Sequence, residues 1–347
     1  MKECSIMLTD LKYIDDDVFE QIKNYTIDSN DLYLTIAGTI GSVGIIPKEV
    51  SGMNLTENAA KLTNISCVKE YLLYALLSST AQEHFTSKFH QVAQPKLSIE
   101  TASTTPIALP PINEQIRIVS EIERTLKLID GINNNRNELQ TAIKQAKRKI
   151  LDLAIHGKLV PQDPNDEPAS ELLKRINPKA EITCDNPQYG KLPKGWCETT
   201  LGNTIVIKSG DAIKVRDNRI GKYPIYGGNG ITGYNESYNV DGINIIIGRV
   251  GFYCGSVHYV NNKIWVTDNA FVTKIMGNVY TPKFLYYLLQ QYDLQQYSNS
   301  TAQPVISGKT VYPINVMLPP LSEQYRIVAK IEELFSQLDK IESSLQA

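Results

Sequence analysis

The sequence predicts an α+β protein in which two mixed α/β domains are linked by two long helices. Two observations support this prediction. Residues 109–132 and 318–341 align without gaps at an offset of 209 residues, with 12 of 24 positions identical. Each copy opens with Leu-Pro-Pro and continues into an apolar stripe close to a heptad repeat. The chain is therefore a duplicated unit, in which each copy is a globular domain followed by a helix.

The first long helix is predicted to begin after Pro110-Pro111, because proline is favoured at the start of a helix. Apolar residues then recur every three or four positions, and the second copy repeats the pattern after Pro320. A helix from Ile112 to Ile155 is about 66 Å long. A narrow stripe of this length needs a partner helix, which the second copy supplies; a dimerisation coiled coil is the alternative.

The globular segments are predicted to mix strands with short helices. Strands are predicted at Asn244–Gly248 and Phe271–Ile275. Short helices are predicted at Tyr71–Leu77 and Phe284–Leu289, which are matching places in the two copies. Residues 157–191 are rich in Pro, Asp and Asn and predict a connector with one short helix around 169–176.

The composition excludes several classes of protein. Five scattered cysteines with no Cys-x-x-Cys pair argue against a disulfide framework and against a zinc site. The N-terminus has no apolar signal region, and the longest apolar stretch, Tyr71–Leu77, is far too short to cross a bilayer. We therefore expect a cytoplasmic protein that does not enter a membrane.

Charge is distributed unevenly along the chain. The net charge is only −2, but residues 192–318 hold 11 Lys and Arg against 7 Asp and Glu. Residues 1–108 hold 8 against 13. The second globular segment is therefore the better partner for a polyanion.

Three segments resemble a known family. They are LPP-x-x-EQ-x-RIV-x-x-IE in both copies, AKRKILDLAIHGKLVPQDPNDEPASELLKRI at 146–176 and LPKGWCETTLG at 192–202. All three resemble the specificity subunits of type I restriction–modification enzymes, over nearly the whole chain. The resemblance implies a pseudo-twofold repeat, with two target-recognition domains joined by two long antiparallel, coiled-coil-like helices. Each domain would read one half of a split site in double-stranded DNA, and the helices would set the gap.

The resemblance also places the chemistry on other chains. It implies two methyltransferase subunits docked on the helices and motor–nuclease subunits that join them. S-adenosylmethionine, ATP and Mg²⁺ would belong to those partners, so no cofactor, metal or catalytic residue is expected on this chain. The sequence agrees, because it has no Asn/Asp-Pro-Pro-aromatic tetrad and its glycine runs lack the spacing of a nucleotide-binding loop.

Two alternatives remain at this point. One is a coiled-coil interaction scaffold whose domains do not read DNA. The other is an enzyme that carries its own methyltransferase or nuclease.

The repeat and the resemblance together predict five segments. They are a partial first target-recognition domain at 1–110, a spacer helix at 111–156, a connector at 157–191, a second target-recognition domain at 192–318 and a distal helix at 319–347. The first domain is expected to be incomplete, because the counterpart of Leu192–Gly210 would fall before Met1.

The candidate DNA-binding residues are those suited to bases and phosphates. Base edges are read by Arg, Lys, Asn and Gln, and phosphates are held by Lys, Arg and Ser. The candidates in the second domain are Lys214, Arg216, Asn218, Arg219, Asn229, Arg249, Lys263 and Gln303, and those in the first are Asn58, Lys88, Gln94 and Lys96. Aromatic candidates for packing on DNA are Tyr226, Tyr234 and Trp265. Asn58/Asn269 and Gln94/Gln303 recur in both copies, which suits a shared role in the fold as well as DNA contact.

The first turns of the two long helices carry a second set of candidates. These are Glu114, Gln115, Arg117, Glu323, Gln324 and Arg326. Contact with the methyltransferase subunits is one interpretation. Capping of the helix or pairing with each other is the alternative, because the helix dipole favours an acidic residue in the first turn.

Overall fold

The computed structural model describes residues 4–6, 8–9, 11–87, 95–184, 192–213, 221–298 and 304–345. Its contacts divide the chain into two compact units, unit 1 (Met1–Asn135) and unit 2 (Arg136–Ala347). The boundary falls inside one long helix, which contributes residues to both units.

Unit 1 contains a three-stranded antiparallel sheet and short helices. Its elements are α1 (Asp16–Ile22), β1 (Leu32–Thr35), β2 (Val43–Ile45), β3 (Ala59–Leu62), α2 (Lys69–Leu77), α3 (Ser79–Thr86), α4 (Ile99–Ser103) and the start of α5 (Ile112–Ile155). The strand order is β2-β1-β3. The central strand β1 is buried at all four positions, and Leu73 and Phe85 pack in the same core as Leu32 and Leu34. Burial on both faces explains why Leu32, Tyr33 and Leu34 follow one another without a polar residue between them.

Unit 2 contains the larger sheets and the second long helix. Its elements after α5 are α6 (Ala169–Ile176), β4 (Cys197–Thr200), β5 (Ile205–Ser209), β6 (Tyr223–Gly227), β7 (Gly230–Asn235), β8 (Ile243–Gly248), β9 (Val257–Asn261), β10 (Trp265–Val266), β11 (Ala270–Ile275), α7 (Pro282–Gln291), α8 (Gly308–Val311), β12 (Asn315–Leu318) and α9 (Leu321–Ser344). The strand orders are β5-β11-β8-β9, β10-β6-β7 and β12-β4. One core joins Ile245 and Ile247 of β8 to Phe284 of α7 and Ile327 of α9.

The local elements predicted from the sequence are confirmed. The two predicted strands lie in β8 and β11, and the two predicted short helices lie in α2 and α7. The connector helix is α6, at the predicted residues. The mixed α and β character of the fold is confirmed with them.

The long helices run antiparallel within unit 2, as expected. Near the end of α9, Asp339 and Glu342 lie 2.6 and 3.2 Å from the Nζ of Lys147 in α5. Near the start of α9, Glu323 bonds Gln162, which follows the end of α5. Contacts further along the chain from α5 are thus made with earlier residues of α9, so the two helices run antiparallel.

The apolar stripe is largely exposed on the part of α5 that lies in unit 1. There Ile116, Leu126, Ile129 and Ile132 keep between 44% and 66% of their surface exposed. α9 has 24 residues, about 36 Å, and α5 has 44. The described helices include none that is long and apolar enough to span a membrane.

Candidate nucleic-acid interface

The first turn of α5 fastens that helix to the domain in front of it. Gln115 does this with its side-chain amide, which is buried. Its Oε1 accepts a hydrogen bond from the backbone N–H of Val68 at 2.9 Å, at the start of α2. Its Nε2 donates to the carbonyl of Pro110 at 2.7 Å. One side chain thereby satisfies two backbone groups that lie in different elements.

The second copy builds the same junction. Gln324 accepts from the N–H of Thr281 at 2.8 Å, at the start of α7. It donates to the carbonyls of Val279 at 2.9 Å and Pro319 at 3.2 Å. The repeated glutamine is therefore a structural tether between each long helix and its domain.

Three of the six residues predicted to contact a partner subunit are buried within this chain. Gln115, Glu323 and Gln324 are at most 1% exposed, so the chain itself encloses them. The carboxylate of Glu323 accepts from the indole N–H of Trp196 at 2.9 Å and from Gln162 at 3.2 Å, and burial raises its pKa. For these three residues the assignment to a partner subunit is wrong, because their polar atoms satisfy buried groups of the same chain.

The other three candidates on the helices keep exposed surface. Glu114 and Arg117 are exposed. Arg326 makes a bidentate ion pair with Asp166, at 2.5 Å on its shorter side, and is partly exposed. Contact of these residues with a partner subunit stays a prediction.

A backbone corner in unit 1 involves Asn58 and the segment that contains Lys96. Ile36 donates its N–H to the carbonyl of Asn58 at 2.8 Å, and its own carbonyl accepts from Leu97 at 2.8 Å. Asn58 and Lys96 are exposed beside this corner. The corner thus brings together Ile36, Asn58 and Leu97, which are far apart in the sequence.

Unit 2 repeats the corner with Arg249 in the place of Ile36. Arg249 donates its N–H to the carbonyl of Asn269 at 2.9 Å, and its carbonyl accepts from Ile306 at 3.0 Å. Because both asparagines act here through their main-chain oxygens, their recurrence reflects a shared role in the fold. The guanidinium of Arg249 donates to the hydroxyl of Ser209 and the carbonyl of Asp268, both at 3.2 Å.

Two predicted DNA-binding residues of unit 2 lie at opposite ends of the β8–β9 hairpin. Asn229 is exposed in the β6–β7 turn, and the turn packs on the segment beside Arg249: a Cβ on Gly228 would lie 2.2 Å from the carbonyl oxygen of Val250. Lys263 follows the other end of the hairpin, where Ile243 pairs with Asn261. The six residues of β8 span about 20 Å, so Lys263 is not beside Arg249.

Lys263 instead lies in a group of cations and aromatic rings, which we call the cation–aromatic strip (Lys222, Tyr223, Tyr238 and Lys263). The ammonium of Lys222 lies 5.0 Å from the ring centroid of Tyr223. That ring meets the ring of Tyr238 edge to face at 5.1 Å, and Lys263 lies 4.5 Å over Tyr238. The strip is thus two neighbouring rings flanked by two ammonium groups. Ammonium groups can bind phosphates, and aromatic rings can stack on sugars or bases.

The strip is positively charged at neutral pH. Hydrogen bonding to the Tyr238 side chain raises the pKa of Lys263, with smaller contributions from the charges of Tyr238 and Asp241. Asp241 lies 3.9 Å from Lys263. Lys222 forms no ion pair within the described residues. The cationic run Lys214–Arg219 leads in sequence into Gly221 and Lys222.

Several predicted residues lie outside the described residues. They are Lys214, Arg216, Asn218, Arg219, Gln303, Lys88 and Gln94. Their contact with DNA stays a prediction.

Two of the three aromatic candidates belong to the fold. Trp265 donates its indole N–H to the carbonyl of Asp211 at 3.2 Å, and the ring of Tyr226 packs edge to face on His258. Tyr234 is 47% exposed and is free to meet a ligand. The sequence prediction missed Lys222, Tyr223 and Tyr238. The Lys-Tyr pair directly after the cationic run was the available signal, but Tyr238 joins it only in the folded chain.

The pH dependence of unit 2 can be predicted from His258. Burial lowers the pKa of this imidazole from its usual 6.5. Below pH 6.5, His258 therefore binds a proton in the unfolded chain but not in the folded chain. The free energy of unfolding falls as the pH drops further towards the folded pKa. Above pH 6.5 the contribution is constant. We expect the urea midpoint of unit 2 to fall between about pH 7.5 and 5.5, and to fall less in His258→Gln. An identical fall in both proteins would contradict this assignment.

Metal chemistry is not indicated in the part of the chain that the structure describes. No group of three or more His, Cys, Asp or Glu side chains there is placed to hold an ion.

The comparisons with known proteins match the two repeat copies separately. The family described as the type I restriction modification DNA specificity domain matches residues 9–141 and again residues 193–347. The chain belongs to this family. The matched ranges include most of both mixed domains, the first part of α5 and all of α9, so the resemblance first seen in the helix motifs holds for the globular parts as well.

Individual relatives within the family are distant. The chain is 25% identical to the type I restriction enzyme EcoAI specificity subunit of Escherichia coli, over 79% of this chain and 60% of that subunit. It is 28% identical to the EcoprrI specificity subunit of Escherichia coli, over 39% of this chain and 34% of that one. The chain thus matches 60% or less of the length of these curated relatives.

The fold is shared with a solved structure. A chain from a structural study of the assembly and conformational transition of the type I R-M system superposes with a TM-score of 0.70 at 17% identity, covering 92% of this chain and 78% of that one. At this identity the likeness concerns the fold alone.

Proposed function

We propose that this chain is the DNA-specificity subunit of a type I restriction–modification system and performs no catalysis itself. It directs adenine methylation and ATP-dependent DNA cleavage by methyltransferase and motor–nuclease subunits to a split site in double-stranded DNA. The cofactors S-adenosylmethionine, ATP and Mg²⁺ belong to those partners. The observation that carries the proposal is the family match over both copies of the repeat.

The site in unit 2 supports this proposal on physical grounds. The cation–aromatic strip offers two exposed ammonium groups for phosphates, and Asn229 offers an exposed amide for a base edge. The duplicated domains suit a bipartite site, because two related readers on one chain address two half-sites. We therefore assign one half-site to residues 1–110 and the other to residues 192–318, with the spacer helix 111–156, the connector 157–191 and the distal helix 319–347 between and after them.

The experiment is a methylation map. The chain is produced with its methyltransferase subunit in a host that lacks adenine methylation, and methylated adenines are located by single-molecule sequencing. We expect one bipartite motif with a fixed gap. A matched chimera, in which residues 192–318 come from another family member, should change one half of the motif and leave the other half and the gap unchanged.

The other outcomes decide against the proposal or reduce it. A stable complex without methylation would favour an interaction scaffold. Methyl transfer by this chain alone would overturn the assignment as a non-catalytic subunit. A chimera with an unchanged motif would show that residues 192–318 do not read DNA.

A further inference from the structure

The loop that joins β8 to β9 carries two exposed aromatic side chains. Phe252 keeps 76% of its surface exposed and Tyr253 keeps 52%. Phe252 is the most exposed large apolar side chain among the described residues of unit 2. The two rings meet edge to face, with their centroids 5.0 Å apart. The next residue, Cys254, is 2% exposed and belongs to the core of the unit, so the loop is anchored directly beside the rings.

The loop is closed by its own backbone hydrogen bonds. Gly255 donates its N–H to the carbonyl of Gly248 at 2.7 Å, and Cys254 donates to the carbonyl of Gly251 at 2.9 Å. Gly251 and Gly255 have φ angles of +99° and +87°, in the left-handed region that favours glycine. Both turns on either side of the rings therefore have a fixed backbone conformation.

Two further contacts hold the loop from outside. Gly251 donates its N–H to the carbonyl of Pro304 at 2.9 Å. The side-chain amide of Gln295 donates to the carbonyl of Phe252 at 2.8 Å. A Cβ on Gly255 would lie 2.6 Å from the backbone nitrogen of Gln295, so the loop packs closely on this neighbouring segment. The two rings are thus carried by a backbone that is bonded on both sides.

The base of the loop lies beside two residues predicted to contact DNA. Arg249 directly follows β8 and is partly exposed. The β6–β7 turn, which carries the exposed Asn229, packs on the same base, because the hydroxyl of Ser256 donates to the carbonyl of Gly228 at 3.2 Å. Arginine and asparagine are suited to phosphates and base edges. These neighbours favour DNA over an apolar protein surface as the partner of the rings.

The stack of bases in a duplex is an apolar space that such rings can enter. Proteins that deform DNA insert apolar side chains between base steps, which unstacks the bases in part and kinks the duplex. Insertion needs side chains that stay outward, and the bonded backbone of this loop meets that requirement. It also removes the exposed surface of Phe252 and Tyr253 from water.

We propose that Phe252 and Tyr253 insert between adjacent base pairs of duplex DNA, in the half-site assigned to residues 192–318, and unstack them. The inference rests on the proposed function and adds a deformation of the DNA to it. A methyltransferase must take its target adenine out of the stack, and a neighbouring unstacked step makes that easier. The step is expected to be a pyrimidine–purine step, because these are the most easily kinked.

The test uses the complex of the whole chain with its methyltransferase subunit and a duplex that carries the motif from the methylation map. Fluorescent base analogues whose emission rises on unstacking replace adenine or cytosine at one position at a time, except at the adenines that become methylated. The analogues are 2-aminopurine and pyrrolo-cytosine. We expect emission to rise at one step of the half-site assigned to residues 192–318, and the duplex to bend there by about 20–90°. Phe252→Ala/Tyr253→Ala should lose the rise and bend the duplex less.

Two control variants show whether the effect belongs to the rings. Phe252→Leu/Tyr253→Phe keeps apolar side chains that can be inserted between bases, and the rise should remain. Ile243→Ala removes a side chain that is 51% exposed at the other end of the β8–β9 hairpin, and the rise should be unchanged. All of these side chains are exposed, so the urea midpoints of the variants should stay close to that of the wild type.

The other outcomes overturn the inference in distinguishable ways. Equal emission with the wild type and the double alanine variant would mean that the methyltransferase subunit unstacks the step. Loss of the methyltransferase subunit from the double alanine variant would place the rings in a protein interface. A wild-type complex that methylates its motif without a rise at any analogue overturns the inference and leaves the proposed function intact. A wild-type complex that methylates no motif overturns the proposed function, and the inference with it.

Discussion

Replacement of Gln324 with alanine is expected to lower the free energy of unfolding of unit 2 by about 3 kcal/mol. The side chain is fully buried and bonds the N–H of Thr281 and the carbonyls of Val279 and Pro319. Alanine leaves these three backbone groups without a partner in the interior, where each unsatisfied group costs about 1–3 kcal/mol before relaxation and entry of water. The small cavity adds to the loss.

Tryptophan fluorescence during urea unfolding measures this effect selectively. The chain has two tryptophans, Trp196 and Trp265, and both lie in unit 2. Gln337→Ala is the matched control, because Gln337 is an exposed glutamine on the same helix, and its change should stay within about 0.5 kcal/mol. A loss below about 1 kcal/mol for Gln324→Ala would refute the role of this side chain as a tether.

The same substitution in the other copy tests whether the tether is a property of the repeat. Gln115→Ala should destabilise unit 1 by about 1–2 kcal/mol, less than its counterpart, because Gln115 makes two such bonds and Gln324 makes three. Hydrogen exchange at the amide of Val68 reports it, since tryptophan fluorescence does not report on unit 1.

Reversal of both charges in the cation–aromatic strip is expected to weaken binding to duplex DNA by about 100-fold at low salt. In the double variant Lys222→Glu/Lys263→Glu, two ammonium groups that lie 5.0 and 4.5 Å from tyrosine rings become carboxylates. Each lost phosphate contact also lowers the slope of log affinity against log salt by about 0.9, so the slope should fall by about 2. Stability should change little, because both lysines are exposed.

A second pair of charge reversals distinguishes an effect of the strip on DNA binding from an effect of net charge. Lys179→Glu/Lys274→Glu changes the charge of unit 2 by the same amount at two exposed lysines outside the strip. We expect it to weaken binding much less, with a nearly unchanged salt slope. Equal loss in the two double variants would mean that DNA responds only to the total charge, and the strip would then not be a contact surface.

The repeat and its elements follow from the sequence because they depend on neighbours along the chain. The periodicity after Pro111 and Pro320 predicts the two long helices, and apolar runs predict the strands that became β8 and β11. The family follows from the same helix motifs. The exposure of the first part of α5 does not follow from the sequence, because apolar residues recur there at helical spacing whether or not other residues cover them.

What the sequence by itself determined is therefore the duplication, the fold class, the positions of helices and strands, and the family. Only the tertiary structure decided which polar side chains are exposed and which are buried in contacts within the chain. Glu114 and Glu323 are the same residue in the same motif, yet one is exposed and the other is buried beneath Trp196. Lys222, Tyr223, Tyr238 and Lys263 meet only because the fold brings three separate segments of unit 2 together. Burial and convergence depend on contacts between residues far apart in the chain, and a local pattern contains no information about those contacts.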